Sequence, residues 1–434
     1  MHSVELRSTT AQGDFPHRRQ LWVNMQNIIV EKPYQFVPPH RGSWLPHMLL
    51  RVGHIHTVFN RFAHGVVSHD CRHVERLRES IKAGHGVLIA PNHSRTADPA
   101  ALCRLGELVP CLFYGMASWH LYNQGWLSRW ILRTLGTFSV NREGVDRQAI
   151  DTAIDVLVKA ERPLVVFPEG FTSRTTDRLK ALFDGIALIA RVGAKKRARA
   201  AGKVIVHPVA IKYHLLGNID AIADQTLTEI EYRLSWRPQR QLPLLDRVIK
   251  VGTSLLALKE LEYLGETRSG SLHERLNGLT DHLIVPLELE WFGKPQIGPT
   301  VPRVRALRTH ILPDMIAGRI TAEERARRWR QLEDLYLAQQ LSTYVPDYLA
   351  IPSVDRIFEM VENFEEDLTD TIRRHPPLHC VLDVGEGILV SSQRDREADI
   401  DPLLVELEQR LQRMLDELAS ESRLYEPIGG RPHC

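Results

Sequence analysis

Between residues 76 and 214, short apolar runs of strand type alternate with stretches of helical periodicity. No other feature constrains the fold of this chain as strongly. The runs lie at 87–90, 111–114, 137–140, 164–167 and 204–211. Helical segments separate them at 127–135, around Ala149, Ala153, Ile154 and Leu157, and at 178–192. Strands linked by helices of this length pair side by side in one direction. The pattern therefore predicts an α/β fold with a mostly parallel central sheet covered by helices.

The flanks are different. Residues 33–46 are rich in proline and aromatics and read as an irregular arm. Val52, Ile55, Phe59, Phe62 and Val66 then recur at helical spacing among Arg51, Arg61 and several histidines, which marks an amphipathic helix. It either packs on the sheet or lies in a membrane interface with Trp44 and the basic residues at headgroup level. Beyond 214 the chain turns to long helices. Thr321 and Glu324 suggest a capping box ahead of Trp329, Leu332 and Leu335, and Val354, Ile357, Val361 and Leu368 trace a further helix. Strand-like alternation returns at 379–390 around Gly385-Glu386-Gly387. The last helix opens with Asp401 as cap and Pro402 at its first position, with the stripe Leu404, Leu407, Leu411, Met414 and Leu418.

With 434 residues the chain can bury two or three structural units, and a net charge of +2 excludes a strongly basic nucleic-acid binder. Cys71, Cys103, Cys111, Cys380 and Cys434 are odd in number, scattered and without a CxxC. They read as reduced thiols of a cytoplasmic protein rather than a zinc ribbon or disulfide framework. Met1 to Asp14 is polar and lacks the apolar core of a signal peptide. No window approaches the ~20 apolar residues of a membrane helix, so work on lipid would be done from the surface.

Three strand exits carry candidate chemistry, and strand exits are where open α/β sheets hold ligands. At the first, Asn92-His93 is followed by Asp98, the ingredients of a general base oriented by a carboxylate. His93 is the one histidine with an aspartate five positions on, although 20 histidines would give about one such match by chance. A capping Asp98 beside an ordinary surface histidine stays open on spacing alone. The second exit, Phe167-Pro168-Glu169-Gly170-Phe171-Thr172-Ser173-Arg174, combines a glycine for close backbone approach with an arginine fork suited to phosphate. The third runs from Gly136 to Arg142. Together they suit general-base chemistry on an anionic substrate.

Weaker signals remain. Arg191, Lys195, Lys196, Arg197, Arg199 and Lys203 form a basic run, either a solvated face or a contact for headgroups or coenzyme phosphates. His54, His56, His64, His69 and His73 are dense, with His69 and His73 expected on one helix face, yet no ligand spacing completes a metal site. No GxSxG, HExxH, P-loop or GxGxxG occurs.

The four ordered blocks Asn92-His93 to Asp98, Gly136 to Arg142, Phe167 to Arg174, and Val206 to Ile211 around Pro208 resemble those of the glycerophospholipid acyltransferases. That family comprises glycerol-3-phosphate and 1-acylglycerol-3-phosphate acyltransferases. The resemblance covers about residues 80–215. It departs where Phe171-Thr172-Ser173 replaces the common Thr-Arg-Ser, with the arginine next at Arg174, and at Ser94, where a bulkier polar residue is common. Val384-Gly385-Glu386-Gly387-Ile388 resembles the strand that follows the proline block.

The resemblance implies an O-acyltransferase of phospholipid synthesis. His93 would take a proton from an acceptor hydroxyl while Asp98 holds its ring. The hydroxyl oxygen would attack the thioester of acyl-CoA or acyl-carrier protein with no acyl-enzyme, metal or other cofactor. Asn92, Arg142, Glu169, Gly170, Ser173 and Arg174 would form the substrate-binding set for a lysophosphatidate-like or glycerol phosphate acceptor. Membrane lipids and the acyl carrier would be the partners, and the site of action the cytoplasmic face of a membrane, bound peripherally. Another lysolipid or an aminolipid acceptor, a non-catalytic lipid-binding protein and a thioesterase are the alternatives. The implied organisation is an N-terminal arm and amphipathic helix (1–75), a catalytic core (76–214), a helical region (215–377) inserted in the fold, and a strand and helix completing the core (378–425).

Overall fold

The computed structural model describes residues 30–52, 55–199, 202–369, 371, 373, 377–393 and 397–427. The expectations for residues 1–14, His54 and Cys434, and for the side chains of Arg51, Val52, Ile55 and His56, lie outside the described residues.

One sheet organises the chain. Its strands are β1 Val66–Arg72, β2 Gly86–Pro91, β3 Tyr114–Ser118, β4 Thr137–Val140, β5 Leu164–Val165, β6 Val204–Leu215, β7 Leu378–Val384 and β8 Ile388–Leu389. They lie in the order β1-β7-β6-β2-β5-β3-β4, with β8 also beside β6. β6, β2, β5, β3 and β4 are parallel, so all their carboxyl ends meet at one edge. β7 and β8 run antiparallel to β6, and β1 runs parallel to β7. This is the expected α/β architecture, a mostly parallel helix-covered sheet.

Alternation along β2 shows how it is covered. Val87 and Ile89 face a cluster with Ala101, Leu105, Ile211, Tyr213 and Phe358, whereas Leu88 and Ala90 face Ala153, Leu157, Ala190 and Leu404. The short helix α1 (Trp44–His47) and then α2 (Ile55–His64) precede the sheet. The crossovers α3 Val74–Lys82, α4 Asp98–Leu108, α5 Trp126–Thr134, α6 Arg147–Lys159 and α7 Gly185–Ala198 link its strands. Between β6 and β7 come α8 Ile219–Arg233, α9 Leu244–Leu264, α10 Leu272–Phe292, α11 Thr300–Ile316, α12 Ala322–Leu341 and α13 Val354–Thr369. α8 and α13 pack on the sheet, while α10, α11 and α12 share a separate apolar core with the far end of α9. α14 Pro402–Ser420 is capped by Asp401 and buries Leu404, Leu407, Leu411, Leu415 and Leu418.

Pro208 sits inside β6, where a missing N–H would ordinarily break a ladder. The neighbour accommodates it. β7 ends opposite Val209 and β8 begins opposite Val206, so Gly385-Glu386-Gly387 passes His207 and Pro208 without needing their donors. A Cβ on Gly385 would lie 2.6 Å from the Pro208 ring, and one on Gly387 2.5 Å from Ile205 Cγ2. Residues 380–390 therefore return to the sheet because two glycines let them close on β6.

Several local expectations are corrected. The 111–114 run begins its strand only at Tyr114, and the 164–167 run is ladder only at Leu164–Val165. The helix expected at 178–192 is α7 at Gly185–Ala198, because 167–183 is held as a loop by its own polar side chains, described below. Val66 and His69 belong to β1, and His73 follows it with left-handed φ of 52°, so His69 and His73 share no helix face. Thr321 caps α12 by accepting from Glu324 N, but the Glu324 carboxylate is taken by Arg327 and Arg328; a complete box occurs instead at Ser271 and Glu274. α2 buries Asn60 and leaves Phe59 and Phe62 51% and 65% exposed, the reverse of a helix whose apolar stripe faces a core. The basic run ends beside the amino end of β2, where Arg197 bonds the carbonyls of Gly84, Val158 and Lys203, at the sheet edge opposite His93.

Candidate active site

β2 ends at Pro91, and Pro99 in the first turn of α4 restarts regular structure, so residues 92–97 form a tight loop at the carboxyl edge. Asn92 is buried there. Its amide accepts from Ile211 N at 2.7 Å and donates to Ile211 O at 3.0 Å, which extends the β2–β6 pairing beyond the last ladder residue. Asp98 opens α4 but makes no cap. Its carboxylate turns back to the loop and is fully buried. Oδ2 accepts from Arg95 N at 2.9 Å and lies 2.9 Å from His93 Nδ1, while Oδ1 accepts the Tyr213 hydroxyl at 2.7 Å. Burial and Asp98 push the Tyr213 phenol well above its ordinary value, so Tyr213 keeps its proton and donates it to Asp98.

With Nδ1 bound to a carboxylate, His93 carries its proton there and presents Nε2 as a base. The ring stacks on Phe167, centroids 4.1 Å apart, and Nε2 lies 3.5 Å from Thr172 Oγ1. Its backbone is held from the second exit. Glu169 Oε1 accepts from His93 N at 2.7 Å and Oε2 from Lys180 N at 2.9 Å, while Ser173 N and Oγ both bond His93 O. Glu169 is fully buried, and that burial raises its carboxyl to about 8 against the two backbone donors. Gly170 has φ of 71°, and a Cβ there would meet the Phe183 ring at 2.5 Å. The second exit thus wraps the first by hydrogen bonds, which explains why it is loop rather than helix.

The structure brings His93, Asp98, Asn92, Glu169, Gly170 and Ser173 together. Arg174 follows another path. Its backbone is left-handed at φ 64°, and its side chain is buried against α13, bonding Asn363 Oδ1 at 3.2 Å and Asn363 O at 2.8 Å with Asp367 at 2.8 Å. Arg95 likewise pairs with Glu362, over the rings of Tyr213 and Phe358. Fully buried Lys212 is paired with Asp177, which also takes Arg356 at 2.7 Å. α13 thus neutralises Arg95 and Arg174, while Asp177 of the loop takes Lys212. Arg142 stands apart, beyond β5 and β3 at the exit of β4. Burial first, with Arg308 and Arg305 of α11 close by, lowers its guanidinium to about 10.

Tyr213, Thr172 and the α13 carboxylates were not among the expected site residues. Tyr213 had a signal, since it continues the Val209, Ile211 alternation of β6 onto the face that bears Asp98. No group of three metal-ligating side chains occurs among the described residues, and no described helix is long and apolar enough to cross a membrane.

Residues 72–212, the segment holding all these exits, match the acyltransferase family model. A curated relative, the 1-acyl-sn-glycerol-3-phosphate acyltransferase of Streptococcus pneumoniae (strain ATCC BAA-255 / R6), is 35% identical over 106 residues, which cover 24% of this chain and 37% of the relative. The chain thus spans little more than a third of that relative's length.

Proposed function

We propose that this chain, whose residues 72–212 match the acyltransferase family model, is a glycerophospholipid acyltransferase that transfers a fatty acyl group from a thioester carrier to a glycerol phosphate-type hydroxyl. The observation that carries the reading is the fixed His93–Asp98 pair at the carboxyl edge, with Nε2 left facing Thr172. Nε2 takes the proton as the hydroxyl oxygen attacks the acyl carbon. The thiolate leaves and recovers a proton from the imidazolium, so no net charge is left on the enzyme. Such general-base assistance contributes roughly 10²–10⁴-fold. Asp98, held by Arg95 N and Tyr213, stabilises the imidazolium as it forms.

In this reading Asn92, Glu169, Gly170 and Ser173 are positioning residues, since their polar groups are spent on backbone partners around His93. Arg174 clamps the second exit to α13, and Arg142 is the core's contribution to the acceptor phosphate. The enzyme works as a peripheral protein on the cytoplasmic face of a membrane, with acyl-CoA or acyl-carrier protein as donor. α2 presents Phe59 and Phe62 to the lipid, and α5 presents Trp126 and Trp130, 80% and 44% exposed, beside Arg129 and Arg133.

The test is a panel of glycerol 3-phosphate, 1-acylglycerol 3-phosphate and other lysolipids with radiolabelled acyl-CoA and acyl-carrier protein. Transfer should depend on a phosphorylated acceptor and fall at least 10³-fold in His93→Ala. Thioester loss without acceptor dependence would identify a thioesterase instead, and undiminished transfer by the variant would overturn the mechanism.

A further inference from the structure

The amino-terminal arm is strapped across the sheet edge before it meets the insertion. Val37 pairs with β4: its N–H donates to Ser139 Oγ at 2.8 Å and its carbonyl accepts from Ser139 N at 3.0 Å, while the Tyr34 hydroxyl lies 3.0 Å from Ser139 Oγ. Val30, Lys32 and Tyr34 line one cavity with Thr309, Leu312 and Ile316 of α11. Between them Glu31, its side chain 14% exposed, pairs with Arg325 of α12, whose Nε donates to Oε1 at 3.1 Å. Followed backwards, the described chain therefore leaves the sheet edge and reaches the insertion.

It arrives beside a groove. Met315, Ile320, Ala322, Ala326 and Trp329 line about 580 Å³ at the turn from α11 to α12, with Arg325 among them. Met315 belongs to the separate apolar core of α10, α11 and α12, and Ile320 and Trp329 pack against that core, so the groove is where it reaches the surface. The sequence just before Val30 has the pattern to cover it. Leu21, Trp22, Met25, Ile28 and Ile29 fall within an arc of ~120° on a helix, the width of a core-facing stripe. From Gln20 to Val30 no residue is charged. A helix lying on a membrane carries lysine or arginine on its polar face, whereas here that face would offer Gln20, Asn24 and Asn27. The lengths also agree. Residues 21–29 make ~13 Å of helix, and the groove runs ~10 Å along α12 from Ala322 to Trp329.

We propose that residues 21–29 fold back as an amphipathic helix into the α11–α12 groove of the same chain, with Glu31 on Arg325 fixing where they enter. The clasp ties the insertion, which has a core of its own, to β4 through the arm. An ion pair with an exposed arginine contributes little by itself, so its part is to set position, and the apolar stripe supplies the burial. The inference goes beyond the acyltransferase reading and does not depend on it.

The experiment puts benzoylphenylalanine in place of Met25 or, separately, Ile28 in the full chain. After irradiation, peptide mapping locates the cross-links, with isotopically labelled protein mixed in to tell one copy from two and with anionic phospholipid vesicles present or absent. The cross-links should reach residues 315–329 of the same copy and persist with vesicles. Ala326→Glu, at an exposed position of the groove, should cut their yield at least fivefold. Arg325→Glu should lower the yield as well, and adding Glu31→Arg should restore most of it, which a mere loss of folding would not allow. Cross-links confined to lipid, to another surface or to the groove of a second copy would each overturn the clasp. So would a yield indifferent to both Ala326→Glu and Arg325→Glu.

Discussion

Replacing Asp98 by asparagine isolates what its charge does. Oδ2 accepts two N–H donors, from His93 and Arg95, each at 2.9 Å, and Oδ1 accepts the Tyr213 hydroxyl at 2.7 Å. An amide can meet these partners in only one orientation. Its oxygen must take the Oδ2 position, because an NH₂ there would face two donors. The NH₂ then faces Tyr213, whose hydroxyl can turn to accept. His93 therefore keeps its tautomer in Asp98→Asn and loses only the negative charge beside the imidazolium. At a charge separation of about 4 Å and an effective dielectric constant near 20, that attraction is about 4 kcal/mol, or roughly 10³ in rate. An amide that inverted the tautomer would cost about 10⁴.

The assay is the initial rate of acyl transfer at saturating acceptor and donor, with thermal denaturation alongside. The expected result is kcat about 10³-fold lower, KM little changed, and a melting temperature at or above wild type. A loss under tenfold would show that the carboxylate charge plays no part. Activity as low as His93→Ala in a folded variant would show that the Tyr213 hydroxyl does not turn and that the tautomer is lost.

Three further outcomes follow from the same geometry. Asn92→Ala removes both bonds to Ile211 and leaves a buried N–H and C=O unmet, so it should cost about 2–4 kcal/mol in urea denaturation; a change below 0.5 kcal/mol would mean water replaces the amide freely. Burial, helped by Arg142, lowers His120 to about 3, so the folded state binds fewer protons than the unfolded one between pH 6.5 and that value, and this contribution to stability is present above pH 6.5 and lost as pH falls. His120→Asn should then flatten the pH 6.5–4 slope of stability by about one proton, and an unchanged slope would refute the assignment. Phe59→Ser with Phe62→Ser should release the protein from anionic vesicles without lowering its melting temperature, whereas undiminished binding would move the membrane face away from α2.

What was legible in the chain is what local pattern encodes. The strand exits could be read because each motif is a short run of sequence: His93 and Asp98 are five positions apart, and Glu169 and Ser173 four, although their bonds reach the His93 backbone 76 and 80 residues away. β7 was legible as strand-like alternation around Gly385 and Gly387, glycines whose close approach to Pro208 and Ile205 only the packing shows. The fate of Arg174 was not. Its partner Asn363 lies 189 residues further on, and periodicity places residues on a face without saying which distant face it meets. The same limit hid the exposure of Phe59 and Phe62. Helical spacing shows an apolar stripe, while only the packing shows that α2 turns Asn60 inward and the stripe out.

The insertion acts on the site's charge. Through α13 it takes Arg95 and Arg174 out of reach of a substrate phosphate, by Glu362 and by Asp367 with Asn363. It leaves Arg142, at the exit of β4, without an ion pair among the described residues. An unpaired guanidinium is thereby left at the β4 exit, three strands from the His93 loop. A core using Arg174 and a core using Arg142 for the phosphate would hold acceptors of different length against the same base. On the reading proposed above, the distance from phosphate to reacting hydroxyl is therefore set by which core arginine the insertion leaves unpaired. Arg142→Met should accordingly raise KM for phosphorylated acceptors far more than it lowers kcat. A fall in kcat with KM unchanged would remove Arg142 from acceptor recognition.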